Sequence, residues 1–329
     1  MSKVVVLTGA SAGVGRAASK AFAGRGDRVG LIARGSDSLA GAAQEVTEAG
    51  GEPLVLRGDV ADHDQVEAAA AAVEAELGPI DVWVNDAMTT VFAPFVEIEP
   101  DEYARATQVT YLGVVWGTMA ALRRMRRRDR GVIVQVGSAL AYRGIPLQAP
   151  YCGAKHAIKG FTESLRSELL HDKSHVHVTM VELPALNTPQ FEICRTKMDR
   201  HPQPVPPIYQ PEVAADAIVW AAAHRRREVH VGGPTLKVVW GNKLLPALVD
   251  RYLARNGYEA QLTDERVDGG RDGNLFEPIP GDHGTHGRFE DARRRSLQLA
   301  LSKHRRALAK AAGLVGLAGL ALAVESKRH

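Results

Sequence analysis

In Tyr151-Cys-Gly-Ala-Lys155 a tyrosine and a lysine stand four residues apart, a spacing that puts them on one face of a helix. The chemistry such a pair can do is proton transfer. A free phenol, with a pKa of about 10, is a poor proton donor or acceptor near neutral pH. An ammonium group held beside it favours the phenolate and pulls that pKa toward the working range. Tyr-x3-Lys also occurs on helix surfaces with no role, so the pair needs support from elsewhere in the chain. Two features offer it. Thr8-Gly9-x3-Gly13-x-Gly15 lies between an apolar run and a helical pattern, and Ser138 closes another apolar run 13 residues before Tyr151.

The elements that must position these residues are legible in the hydrophobic pattern. Lys3–Thr8, Arg28–Arg34, Pro53–Arg57, Ile80–Asn85, Gly131–Gly137, His177–Leu183 and Glu228–Gly232 are short apolar runs, read as buried strands. Helical patterns run from the glycine loop to about Arg25, then over Ser36–Gly50, Asp62–Leu77, Pro100 to about Arg128, 150 to about 171, and Glu212–Ala223. This alternation predicts repeated βαβ units around a parallel sheet. Glycines at the first βα turn let the backbone approach a pyrophosphate, and the following helix N-terminus supplies amide donors. The stretch Pro184–Pro211 is proline-rich and irregular, as expected of a functional lid or a disordered loop.

Bulk properties set the frame. The 329 residues carry 45% hydrophobic and 24% charged side chains, ordinary for a globular chain. A net charge of +3 is too small to argue for a nucleic-acid partner. Two cysteines, Cys152 and Cys194, are too few for a disulfide framework, and no histidine cluster has metal-site spacing. The N-terminus enters an apolar run without the features of a signal peptide, so the main domain is expected to be cytoplasmic.

Taken together, Thr8 to Gly15, Asn85-Asp86-Ala87-Met88, Ser138 and Tyr151 with Lys155 resemble the motif set of the short-chain dehydrogenase/reductase family. The resemblance covers about residues 1 to 235. It implies a Rossmann-type α/β fold, a doubly wound seven-stranded parallel sheet with helices on both faces, binding a nicotinamide dinucleotide. It further implies that Tyr151 exchanges a proton with the substrate oxygen. Lys155 would lower the tyrosine pKa and hold the nicotinamide ribose. Ser138 would donate to the same substrate oxygen, and Thr110 stands where the family has a water-holding asparagine. Implied cofactor contacts are Gly9, Ser11, Gly13, Val14 and Gly15 in the loop, Asp59 and Val60 at the adenine, Asn85 and Ala87, Tyr151 and Lys155, and Pro184 with Thr188 near the carboxamide.

Charge refines the cofactor. Where an acidic residue would bind a ribose 2′-hydroxyl, this chain has Arg34, and Arg16 follows the glycine loop. Two guanidiniums suit a 2′-phosphate, so NADP(H) is expected over NAD(H). The substrate expected is a small ketone, aldehyde or secondary alcohol. A catalytically weak NADP-binding sensor or scaffold is the alternative, motivated by Met88 and Thr110. The family resemblance also implies a homodimer or homotetramer through helices at about 101 to 128 and 150 to 171.

Three segments are expected: a catalytic domain over 1–262, an irregular linker over 263–292, and a basic then apolar extension over 293–329. Ala311–Val324 is an uninterrupted run of apolar residues and glycine, 14 residues long, short of the roughly 20 that span a bilayer. Membrane contact through 307–324, a helix on a partner subunit and an interfacial helix all remain open.

Overall fold

The computed structural model describes residues 2–267 and 270–305. Seven strands form one parallel sheet: β1 (Val4–Thr8), β2 (Arg28–Ala33), β3 (Glu52–Arg57), β4 (Val82–Asn85), β5 (Val132–Ser138), β6 (His177–Leu183) and β7 (Glu228–His230). Their order is β7-β6-β5-β4-β1-β2-β3, so the winding reverses between β1 and β4. Crevices at the carboxyl ends of strands beside such a reversal are where open α/β sheets bind ligands.

The side-chain alternation of β1 explains why both faces are covered. Val5 and Leu7 belong to a core shared with α1 (Gly13–Ala23), α2 (Ser36–Glu48) and α8 (Pro211–Ala223). Val4 and Val6 point the other way, into a core with α3 (His63–Glu76), α5 (Gly113–Arg128) and α6 (Ala149–His171). A strand buried on both faces needs an apolar residue at every position, which Val-Val-Val-Leu provides.

The long helix expected over 100–128 is interrupted. Pro100–Thr107 (α4) passes through a π turn, Gln108–Leu112, before α5 begins. Such turns concentrate at functional sites, and this one carries Thr110. The irregular stretch after β6 is stapled to the rest of the fold. It holds the short helix Gln190–Ile193 (α7). Its Arg195–Thr196 pairs in parallel with Val91–Phe92, and its Arg200–Pro202 pairs antiparallel with Leu262–Arg266. Two further helices, Gly233–Leu244 (α9) and Pro246–Asn256 (α10), follow β7.

The linker expected over 263–292 is not a free tether. Leu275 is fully buried against Val91, Ala93 and Ala106, and Arg271 exchanges backbone hydrogen bonds of 3.0 and 2.8 Å with Thr196. Glycine and proline deny the stretch regular structure, but its scattered apolar side chains still find partners on the catalytic domain. A helix over 297–305 then returns Leu299 to the core around α1 and α8. Among the described residues no helix is long and apolar enough to cross a membrane. The apolar stretch 307–324 lies outside the described residues.

Candidate active site

Residues of the right chemistry converge from loops at the carboxyl ends of the strands. Gly9, Ser11, Gly13 and Val14 come after β1, Arg34 after β2, Asp59 and Val60 after β3, and Ala87 after β4. Ser138 ends β5, Tyr151 and Lys155 open α6, and Pro184 and Thr188 follow β6. All of these line one cavity of about 530 Å3. Its size suits a cofactor or small-ligand site.

Local sequence sets each piece. Pro150 in the first turn of α6 suits a helix start. From there Lys155, Ile158, Thr162, Leu165 and Leu169 recur at helical spacing as the buried face, which draws Lys155 in against β5. Its Nζ donates to the Val136 carbonyl at 2.6 Å and lies 5.5 Å from the centre of the Tyr151 ring. At the other end, Ala12 caps α1 without a side-chain hydrogen bond, so no side chain competes for that helix terminus. Gly13 sits there at φ +54°, and a Cβ on it would come within 3.2 Å of Thr188. These features fit a dinucleotide lying from Arg34 to Tyr151.

Burial dominates the electrostatics of the pair. It holds the Tyr151 phenol above its ordinary pKa, while the Ser138 hydroxyl beside it works the other way. Burial also lowers Lys155, against the opposing charges of Asp86 and Glu182. In this geometry burial outweighs what lowers the phenol, and the ammonium of Lys155 is turned to the Val136 carbonyl. The Ser138 oxygen accepts the Leu140 amide at 3.1 Å, which leaves its own proton free to donate.

Four expected site residues do not line the cavity. Gly15 packs the loop itself, where a Cβ would meet the Gly9 carbonyl oxygen at 2.2 Å. Arg16 is buried and bonded to Glu45 at 2.9 Å and to Asp282, so its charge is spent inside the protein. Thr110 donates to the Thr89 carbonyl at 2.7 Å and accepts the Thr89 amide at 3.0 Å, a clasp that occupies its hydroxyl. Asn85 is turned into the core: its amide oxygen accepts from Trp83 Nε1 at 2.8 Å, and its nitrogen donates to Gln135 at 2.8 Å and Thr118 at 3.1 Å. Replacing Asn85 by alanine strands the buried Trp83 and Gln135 groups. A loss of about 2–4 kcal/mol of stability is expected, read from urea denaturation.

A profile described as short chain dehydrogenase matches residues 3–199. The chain belongs to the short-chain dehydrogenase family. Among similar proteins, an uncharacterized oxidoreductase of Bacillus subtilis (strain 168) is 30% identical over 85% of this chain and 80% of its own length. A 3-dehydrosphinganine reductase of Danio rerio is 32% identical over 57% of each chain. A metagenomic short-chain oxidoreductase solved in complex with NADP superposes with a TM-score of 0.59 at 26% identity, covering 70% of this chain and 96% of its own.

Several groups in this short-chain dehydrogenase escape its motifs. Half-buried Asp86 is raised to about 7 by burial, against Lys155 and a hydrogen bond from the Gly15 amide. Fully buried Glu182 is raised to about 8, by burial first and then by the nearby Glu228 charge. Neither Glu182 oxygen has a side-chain hydrogen-bond partner, and the carboxyl lies against Gly137. An acidic residue inside the apolar strand His177–Leu183 is a sequence signal that motif matching passes over. The α9–α10 hairpin contributes Val238, Tyr252 and Leu253 to the cavity, and 274–283 contributes another wall. Among the described residues no group of three His, Cys, Asp or Glu side chains is placed to hold a metal.

Proposed function

We propose that this short-chain dehydrogenase is an NADP(H)-dependent reductase of ketones or aldehydes, working in reverse on secondary alcohols. The observation that carries the reading is the convergence of Ser138, Tyr151 and Lys155 at one end of a cavity whose other end holds the glycine loop and Arg34. When bound, the nicotinamide supplies the hydride. Tyr151, kept protonated by burial, is the proton donor to the substrate oxygen, and a protonated resting state suits reduction. Ser138 donates a hydrogen bond to the same oxygen and stabilises the charge that develops there. Lys155 lies beside the tyrosine as the next proton-bearing group.

Support for NADP(H) over NAD(H) now rests on Arg34. Its guanidinium donates to the neutral Phe276 and Asn274 carbonyls at 2.6 and 2.5 Å and makes no salt bridge among the described residues, with the Asp59 and Glu277 charges acting on it from farther off, and Ser38 lines the cavity nearby. The similar enzyme solved with NADP points the same way. Arg34→Ala is expected to raise KM for NADPH by roughly tenfold or more while leaving KM for NADH nearly unchanged. Equal changes for both would remove the assignment.

Apolar walls from Ile145, Leu186, Phe191, Ile193, Val238 and Leu253 favour a carbonyl compound with a hydrophobic flank. A panel of such carbonyls with NADPH and NADH compared tests the whole reading. Tight NADPH binding without turnover across the panel would favour the sensor or scaffold alternative, to which the occupied Thr110 hydroxyl lends support. Assembly as a homodimer or homotetramer through α5 and α6 belongs to the same proposal. A monomer in sedimentation at working concentration would remove it.

A further inference from the structure

Beyond the stretch matched by the family profile, residues 270–292 run around the dinucleotide end of the cavity. The path begins at the loop after β6, where Arg271 and Thr196 exchange backbone hydrogen bonds of 3.0 and 2.8 Å. It crosses to Thr89, whose hydroxyl donates to the Asn274 side chain at 3.2 Å, and to Arg105, which donates to the Leu275 carbonyl at 3.1 Å. It then passes Arg34, held through the Asn274 and Phe276 carbonyls. Over the start of α2 the Gly281 carbonyl accepts from Ser38 at 2.9 Å and its amide donates to Asp37 at 3.0 Å. Asp282 pairs with Arg16, and the Gly284 carbonyl accepts the Gly13 amide at 3.1 Å. The path ends where it began, at the loop after β6, with the Gly287 amide on the Asn187 carbonyl at 3.3 Å.

We propose that Asn274–Gly287 is a strap that forms the outer wall of the dinucleotide site and must lift for the dinucleotide to enter and leave, with the Arg16–Asp282 ion pair as its clasp. The proposal rests on the dinucleotide-dependent reading above. Three observations carry it. The strap borders the cavity and holds its donors: Asn274, Pro278, Ile279 and His283 are walls of the space that Gly9, Gly13 and Arg34 line from the other side, and strap carbonyls occupy the Gly13 amide and the Arg34 guanidinium until it lifts. Its two ends are fastened differently from its middle. Leu275 is fully buried at one end and Asn187 holds Gly287 and Phe289 at the other, whereas Phe276 is exposed and the contacts between are polar. The strap's own Phe276, Glu277 and 280–282 are exposed, so once the Arg16–Asp282 clasp parts the middle can exchange its contacts with solvent while the ends stay fixed. Finally, Gly281 and Gly284 both have positive φ, +95° and +66°, with open space where a Cβ would stand. Glycines in this conformation permit backbone rotation that other residues resist.

Because neither Arg16 nor Asp282 lines the cavity, the clasp can be removed without replacing a cavity wall, although Asp282→Ala also frees the Gly284 amide that its carboxylate accepts at 3.1 Å. NADPH binding followed by fluorescence in stopped flow, in the unaltered protein and in Asp282→Ala, tests the strap. Both entry and release are expected to quicken in the variant, release on the order of tenfold. In the unaltered protein, amide hydrogen exchange over 276–286 is expected to slow when NADPH binds. Two results would overturn the strap while leaving the cofactor reading intact. Tighter NADPH binding in Asp282→Ala with unchanged release would make the segment a plug. Unchanged rates together with unchanged exchange would make it a mere fastening. Failure of the unaltered protein to bind either NADPH or NADH would overturn the cofactor reading and the strap with it.

Discussion

Tyr151→Phe is expected to lower turnover with NADPH and a carbonyl substrate on the order of a thousandfold, with NADPH affinity nearly unchanged. Phenylalanine keeps the ring, its burial and its contact with Lys155, and removes only the oxygen that carries the proton. The loss should therefore fall on kcat and not on KM for the cofactor. Ser138 supplies a second donor to the substrate oxygen, so a small residual rate is expected rather than none. Full activity in the variant would sink the mechanism. The pH profile adds a second check. Since burial holds the phenol above its ordinary pKa, the reduction rate of the unaltered enzyme should not fall through loss of the Tyr151 proton anywhere near neutrality.

Glu182→Gln is expected to leave stability nearly unchanged at about pH 5 and to raise it on the order of 4 kcal/mol at about pH 9. Burial lifts the Glu182 carboxyl from its ordinary 4.5 to about 8. Between those two values the folded protein keeps a proton that the unfolded chain has released. Glu182 thus contributes a loss of stability as pH rises through this window, about 1.4 kcal/mol per pH unit, whereas His177, lowered to about 4, contributes the opposite sign below about pH 6.5. Glutamine resembles the protonated acid and does not titrate, so it removes the Glu182 contribution to the slope. Urea denaturation across the window measures the difference between the two proteins, and parallel pH profiles would contradict it. Asp86, raised from 3.8 to about 7, adds a contribution of the same sign over a window that ends about one pH unit lower, and the variant retains it.

Much of the fold was legible in the chain because its strands are continuous apolar runs and its glycine loop sits at a strand–helix junction. Ser138, Tyr151 and Lys155 were legible for a similar reason, since their spacing follows from one strand, one loop and one helix. Arg16 and Arg34 show where that reading ends. Both are cations near the same turn, yet Arg16 is taken up by Glu45 and Asp282 while Arg34 reaches the cavity. Asp282 is 266 residues from Arg16 in sequence, and no local pattern announces that pairing. Asn85 and Thr110, expected at the cofactor and in the proton relay, do not line the cavity, because a motif position does not state which way a side chain turns. A buried tryptophan and glutamine claim Asn85, and a backbone peptide claims Thr110.

By itself, then, the sequence determined the order of the main strands and helices, the family and the residue types of the proposed reacting groups, because these depend on periodicity and short spacing. Only the tertiary structure decided which cations remain available, how far burial shifts Tyr151, Asp86 and Glu182, and that 270–292 lies against the site instead of trailing from it. Those outcomes depend on desolvation and on contacts between residues far apart in the chain, and neither is written in any local stretch of it.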